Sequence, residues 1–374
     1  MMDSNQKKFG LYVFLSTFSR NLIEVFIPVI LYKFGYSLKE VIFYYLLTNV
    51  FSLVLTYPII YLSNRFNNKI LSIIGIISFV LLQISLNFIR QSYIYLILLA
   101  LFFALYRRGY WISRRYYNLE VIKKDKISTT YSIISILNQI AVIVSAYIGG
   151  LVLDYISIKV LTIIAIVLFA LSVIPLLLLK FEHEKNTYKL NLRQTIKEVP
   201  TSDIYLFGSY ELINVVKFLI PLYLFIYVKN NYQTIGIVNL ITNASIIIFT
   251  FMFGKKLDKS NKNYLLFAII LTTLIYILKI NTFGIVLLIV SFFEGIIIKM
   301  YELSISKNFY TLSKKFEYYN YNLLYEFTQN LFRSIVVFLL FISNFNIKNM
   351  VYITLLFIFI GVFLQKRNTE VDKQ

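Results

Sequence analysis

The chain has 374 residues, of which 59% are hydrophobic and only 15% charged, whereas an average soluble domain carries about a quarter charged residues. With a mean hydropathy of +0.72, that balance excludes a soluble globular enzyme and a disordered chain. The formal net charge is +19, from 37 Lys and Arg against 18 Asp and Glu, and in so apolar a chain the excess points to cytoplasmic loops rather than to nucleic acid.

In chain order, apolar segments long enough to cross a bilayer as helices run near 10–33, 39–62, 70–89, 93–113, 128–153, 158–179, 203–228, 233–254, 263–280, 283–303, 318–342 and 347–365. The alternating ten-residue strands of an outer-membrane barrel are absent. The first segment carries Arg20 and Glu24 and no small-residue cleavage site, so it reads as a retained helix rather than a signal peptide. The sequence thus predicts an all-α membrane protein with twelve transmembrane helices. Short connections leave no room for an extramembrane domain. The longest polar stretch, from Lys180 to Asp203, follows the sixth segment, and its leucines and charges suit a short surface helix before Pro200. It divides the chain into a bundle over 1–179, a central loop over 180–202 and a second bundle over 203–374.

Charge in the connections orients the chain. With the N-terminus cytoplasmic, the inside segments hold 24 Lys and Arg, among them Arg65, Lys69, Arg114, Arg115 and Arg193. The outside segments hold seven: Lys33, Lys39, Arg90, Lys159, Lys229, Lys279 and Lys348. The asymmetry places both termini inside. There is no cysteine and one histidine, His183 in the central loop, which leaves no Cys/His metal site, thiolate or histidine proton relay. No cofactor is expected. A Walker loop is missing as well, so ATP is not the direct energy source.

The halves repeat. Asn21-Leu-Ile-Glu24-Val-Phe-Ile-Pro28 in the first segment matches Asn214-Val-Val-Lys217-Phe-Leu-Ile-Pro221 in the seventh at an offset of 193. Thr48-Asn49 matches Thr242-Asn243 at an offset of 194, and Asn64-Arg65 matches Asp258-Lys259 at the same offset. The loop after the eighth segment reads Gly254-Lys-Lys-Leu-Asp258-Lys259-Ser-Asn-Lys262. The loop after the second is a decayed copy running through Asn64, Arg65 and Lys69.

Twelve segments in two halves, a long central loop and the Gly-x-x-x-Asp-Arg/Lys-x-x-Arg/Lys signature resemble the major facilitator superfamily. The resemblance implies two pseudo-symmetric six-helix bundles and alternating access. It also implies that the loop motif (Asn64, Arg65, Lys69, Gly254, Asp258, Lys259, Lys262) biases the two access states. Two patterns depart from the family: Arg107-Arg108-Gly109 lacks the expected arginine-to-glycine spacing in the fourth span, and the Gly-Pro-rich antiporter motif of the fifth survives only as Gly149-Gly150.

Ionisable residues deep in a bilayer cost about 2.5–3.5 kcal/mol each on insertion scales and mark wet or paired interiors. Ten stand in the apolar segments: Arg20 and Glu24, Arg107 and Arg108, Glu211 and Lys217, Glu294 and Lys299, Glu326 and Arg333. The third, sixth, ninth and twelfth segments carry none in their cores. The family resemblance places spans 1, 4, 7 and 10 around a central cavity and 3, 6, 9 and 12 toward lipid, in agreement with that pattern. The substrate and coupling set is therefore Arg20, Asn21, Glu24, Arg107, Arg108, Glu211, Asn214, Lys217, Glu294, Glu326, Gln329, Asn330 and Arg333. Arg20 and Glu24 are i,i+4 on one face, either a structural ion pair or a proton-carrying acid tuned by its neighbour. Glu326, Gln329, Asn330 and Arg333 fall within about 60° of arc, which suits a cavity wall or a buried network. Pro28 and Pro221 read as kinks or hinges, and Thr48, Asn49, Thr242 and Asn243 as interhelical hydrogen bonds.

The function expected is a secondary active transporter in the cytoplasmic membrane. It would be a monomer, coupled to protons and moving a small anionic or zwitterionic solute. The alternatives are efflux of amphipathic or lipid-like compounds and a non-transporting receptor or scaffold.

Overall fold

In hydrocarbon every backbone N–H and C=O must be satisfied by the chain itself, which helices achieve locally. The computed structural model describes residues 4–66, 68–88, 91–121, 127–179, 189–259, 265–313 and 318–371, with side chains described outside 119–133, 251–266, 303–318 and 362–374. Every regular element among these residues is helical.

The first apolar segment is not one helix. It divides into α1 (Ser4–Asn21), a 3₁₀ turn (Glu24–Phe26) and α2 (Ile27–Lys33). Pro28 stands in the first turn of α2, where its missing N–H is tolerated. The interruption lies upstream of it, at Asn21–Ile23, so the Pro28 kink expected from sequence is a break in the helix. α3 (Leu38–Arg65) opens on a capping box in which Ser37 Oγ accepts from Glu40 N while Glu40 accepts from Ser37 N, satisfying end groups that have no intrahelical partner. α4 (Asn68–Asn87), α5 (Tyr93–Val121) and α6 (Ile127–Tyr155) follow. The sixth segment breaks before Pro175 into α7 (Ile158–Leu171) and α8 (Val173–Leu177).

The central loop yields α9 (Leu192–Glu198), capped by Asn191 Oδ1 accepting from Gln194 N, as its leucines and charges predict. α10 (Thr201–Glu211) and α11 (Ile213–Tyr223) make up the seventh segment, with Pro221 inside α11 and a π turn over Leu224–Val228. α12 (Tyr232–Lys259), α13 (Leu265–Lys279), α14 (Gly284–Ser313), α15 (Tyr318–Ile342) and α16 (Ile347–Val371) complete the chain. Ten of the described segments are long and apolar enough to cross a membrane, and Phe267–Lys279 and Ile347–Gly361 are shorter apolar helices.

The chain forms two compact units, one of Met1–Tyr188 with Asn231–Leu240 and the other of Lys189–Asn230 with Ile241–Gln374. In the first, α4 and α5 cross at glycines. A Cβ on Gly109 would stand 2.8 Å from Leu71 O and one on Gly75 would stand 2.9 Å from Tyr110 N. Ser72 Oγ and Ser113 Oγ bond across the same crossing at 2.8 Å. This close approach fixes the face of α5 that carries Tyr110, Trp111 and Arg114. In the second unit α10 packs on α15 and α16, and α13 on α14.

The outward faces are apolar stripes at helical spacing, including Ile70, Ile74, Ile77, Leu81 and Ile84 on α4 and Phe267, Ile270, Leu274 and Leu278 on α13. A surface of this kind is covered by lipid, not by water. Inside the helices Thr48 Oγ1 and Asn49 Nδ2 donate back to Tyr44 O and Tyr45 O four residues earlier. That corrects their reading as interhelical links, because a carbonyl one turn back is always within reach of a short polar side chain.

Candidate functional site

Among the described residues, ion pairs gather in one cluster in the first unit and in three in the second. In the first unit the helix break places Glu24 just beyond the end of α1, yet Arg20 Nε remains 3.4 Å from Glu24 Oε2. Arg20 is buried, while the Glu24 side chain is 25% exposed. The Arg20 guanidinium carbon lies 4.8 Å from the centre of the Trp111 ring and 5.6 Å from that of Tyr110, within the range of cation–π attraction. Asn21 turns its amide back to Thr17 O and does not meet Glu24.

Arg114, counted by sequence among the cytoplasmic-loop charges after the 93–113 segment, instead lies buried within the Tyr93–Asn118 span. One of its nitrogens donates to Tyr110 Oη at 2.8 Å and to Thr17 Oγ1 at 3.4 Å, and the other to Asn138 Oδ1 at 2.7 Å. Its guanidinium carbon lies 5.1 Å from the Trp111 ring and 5.6 Å from Tyr110. Two arginines from two helices therefore share one aromatic pair, and the sequence reading misses the second of them. The available signal is spacing: Tyr110, Trp111 and Arg114 fall at i, i+1 and i+4 on one helix. Arg108 is buried, and Arg107 is half-buried with its guanidinium over the Phe103 ring at 5.8 Å.

In the second unit Glu211 at the end of α10 meets Arg333 of α15 at 3.5 Å and accepts a hydrogen bond from Asn214 at 2.5 Å. Arg333 also donates to Asn330 Oδ1 at 2.8 Å and to Gln329 O at 3.4 Å. Asn330 donates to Glu326 O. Glu326, Gln329, Asn330 and Arg333 are at most 2% exposed, and Arg333, bonded to the Asn330 side chain, is the member that meets Glu211.

Lys217, a site residue by sequence, lies 3.8 Å from Glu302, which also pairs with Lys299 at 3.6 Å. The sequence reading misses Glu302, although it stands one turn beyond Lys299. Glu294 pairs with Lys279 and accepts from Thr242 Oγ1 at 3.2 Å. By sequence Lys279 counts as an outside-loop charge. It is the last residue of α13 and is 3% exposed, so the ninth segment does contribute a buried charge. A carboxylate across the helix pair holds its ammonium inside.

The loop motifs divide. Lys69 Nζ donates to Leu177 O at 3.1 Å and Leu179 O at 2.5 Å, tying α4 to the carbonyls that end α8. Arg65 stacks on Tyr61 at 4.7 Å, and Asn64 is buried. In the second half the side chains of Gly254, Asp258, Lys259 and Lys262 lie outside the described residues.

A further anchor appears at the other end of the first unit. Both carboxylate oxygens of Asp154 accept the first N–H groups of α12, from Tyr232 at 3.0 Å and Gln233 at 2.6 Å. Lys33 lies over the Tyr232 ring at 4.8 Å. Gly150, a remnant of the glycine pair, lets Tyr232 O approach to 2.9 Å of where a Cβ would stand.

Comparison with known proteins places this architecture. The family model described as Major Facilitator Superfamily matches residues 9–311. No curated protein matches the sequence significantly. Among solved structures, a bacterial metal transporter superposes with a TM-score of 0.67 at 13% identity, covering 99% of each chain. A point mutant of the nucleoside transporter NupG superposes at 0.70 and 12% identity over 98% of this chain and all of its own. A bacterial homologue of the iron transporter ferroportin in an outward-facing state does so at 0.67 and 15% over the same shares. At such identities these structures share the fold and say nothing of cargo. The family match covers most of the sequence, and the chain belongs to the major facilitator superfamily of membrane transporters.

Proposed function

We propose that the protein is a secondary active transporter of the cytoplasmic membrane, working by alternating access and coupling a small anionic or zwitterionic solute to protons. In this reading the twelve apolar helices form two pseudo-symmetric six-helix bundles, 1–179 and 203–374, joined by the loop 180–202, with both termini cytoplasmic. With Arg114 and Lys279 set inside the spans, 23 Lys and Arg against six remain in alternate connections, which supports the orientation.

The observation that carries the coupling is the interrupted first span. Discontinuous helices are where transporters of several folds bind solutes and coupling ions. Here the break leaves Glu24 partly exposed and opposed to Arg20. Protonation of Glu24 would release Arg20, and ionisation would recapture it, so one proton switches the charge the site presents. Glu211 and Glu294 are ion-paired and more deeply enclosed, and Glu326 is fully buried, which suits structural roles or later steps of the cycle. The solute class follows from composition, with more Arg and Lys than Glu in the interior. A metal cargo is not favoured, since the sequence has no cysteine and one histidine and such donors suit transition metals.

The test is solute-driven proton movement in proteoliposomes with a pH-sensitive dye inside, using anionic, zwitterionic and cationic solutes. Flux with an anionic or zwitterionic solute that Glu24→Gln abolishes is the expected result. Wild-type silence across the panel in sealed vesicles would remove proton coupling, and flux undiminished in Glu24→Gln would remove Glu24 as the carrier.

A further inference from the structure

We infer that Arg114, with Arg20 and the aromatic pair Tyr110–Trp111, forms a binding site for an oxyanion: the carboxylate or phosphate group of the solute. The inference deepens the transporter reading and rests on it for the role of the site. Its chemistry rests on the geometry of the first unit alone.

Charge is the first argument. Arg20 has Glu24 as its counter-ion at 3.4 Å. Arg114 is 7% exposed and, among the described residues, every group it touches is neutral: the Tyr110 hydroxyl, Thr17, Asn138 and the two aromatic faces. Among the described residues the cluster therefore holds two guanidiniums against one carboxylate, inside a span. A buried charge without a counter-ion is strongly unfavourable, and an anion entering the site would supply the negative charge that the described residues do not.

Geometry is the second. Arg114 is held from three sides, by its own helix through Tyr110, by α1 through Thr17 and by α6 through Asn138. Thr17 Oγ1 in turn donates to Asn138 Oδ1 at 2.9 Å. The guanidinium is thus pre-oriented before any ligand arrives. It presents five N–H donors in a fixed plane, of which the neutral partners engage three. A fork of this kind matches the paired oxygens of a carboxylate or phosphate better than an ammonium does. The Trp111 ring lies against both guanidiniums, at 4.8 and 5.1 Å, which fixes their spacing and keeps bulk water from one side.

The same arrangement provides its own reporter, because Trp111 is the single tryptophan of the chain. Purified protein in a neutral maltoside detergent is titrated with inorganic phosphate, succinate and lysophosphatidic acid, with glycerol and choline as controls, while Trp111 emission is followed. The expected result is a saturable change with at least one oxyanion and none with either control. Response to phosphate or succinate identifies a soluble source, and response to lysophosphatidic acid alone identifies a lipid headgroup. Arg114→Gln should weaken the dissociation constant about ten- to a hundredfold, the range of one charge-assisted hydrogen-bonding group. Arg114→Lys, which keeps the charge and loses the fork, should fall between. Should Arg114→Gln fail to fold by circular dichroism and gel filtration, Arg114→Lys carries the comparison. Silence to every oxyanion, an equal response to choline, or an affinity unchanged in the folded variants overturns the proposal. Oxyanion binding without any flux in liposomes would leave the site standing and remove the transporter reading instead.

Discussion

A charge buried in a membrane protein is informative mainly through its partner. Arg333 with Glu211 and Lys279 with Glu294 are closed pairs, whereas Arg114 has only neutral company among the described residues. The Lys279–Glu294 pair yields a direct stability test. Removing one member strands the other in low dielectric, at a cost of about 3–5 kcal/mol, whereas removing both is far milder. Lys279→Met should therefore lower the unfolding midpoint in detergent markedly, and Lys279→Met with Glu294→Leu should recover much of the loss. A double variant as unstable as the single would show that the pair is not coupled. Sequence alone misplaces both Lys279 and Arg114, for one reason. Each stands near the end of an apolar run beside other polar residues, where a hydropathy reading draws the membrane boundary. Only the packed partner, Glu294 for one and Asn138 for the other, shows that the side chain turns inward.

The elements themselves are largely legible in the sequence. Each of the twelve apolar runs contains helix, and α9 lies where the central loop predicts it. The interruptions are not legible as such. Pro28, Pro175 and Pro221 mark the affected spans, but the break at Asn21–Ile23 begins several residues before Pro28. It depends on which carbonyls find partners, a property of three-dimensional packing. The α4–α5 crossing offers the clearest prediction at this scale. Gly75 and Gly109 admit backbone from the opposite helix to within 3 Å of where a side-chain carbon would stand. Gly109→Val should force the helices apart, costing about 1–3 kcal/mol as overpacking does. Because that crossing orients Trp111, a shift in tryptophan emission should accompany the lower unfolding temperature. An unchanged midpoint and spectrum would mean the crossing tolerates a wider approach.

At the scale of the whole molecule, the repeat at offsets of 193 and 194 announces two related halves, and the family match agrees with the fold that repeat implies. The repeat does not extend to the chemistry. Glu24 aligns with Lys217, and the first half pairs Arg20 with Glu24 along one chain segment while the second joins Glu211 to Arg333 across α10 and α15. Orientation is testable without disturbing any of these groups, because the chain has no cysteine. Single cysteines replacing the exposed Lys39, Lys159 and Arg193 can be labelled with an impermeant maleimide in right-side-out and inverted vesicles. Lys39→Cys and Lys159→Cys should react only from outside and Arg193→Cys only from the cytoplasmic face. The reverse pattern would invert the topology, and a mixed pattern would break the proposed span count.

The central claim, that Glu24 couples solute movement to protons through alternating access, is tested most directly by comparing two modes of transport in the same proteoliposomes. Gradient-driven accumulation requires the proton, whereas counterflow of labelled against unlabelled solute requires only that the loaded protein change access. Wild-type protein should perform both, and Glu24→Gln should retain counterflow while losing accumulation. Loss of both would mark Glu24 as part of solute binding or folding, and retention of both would contradict the coupling role altogether.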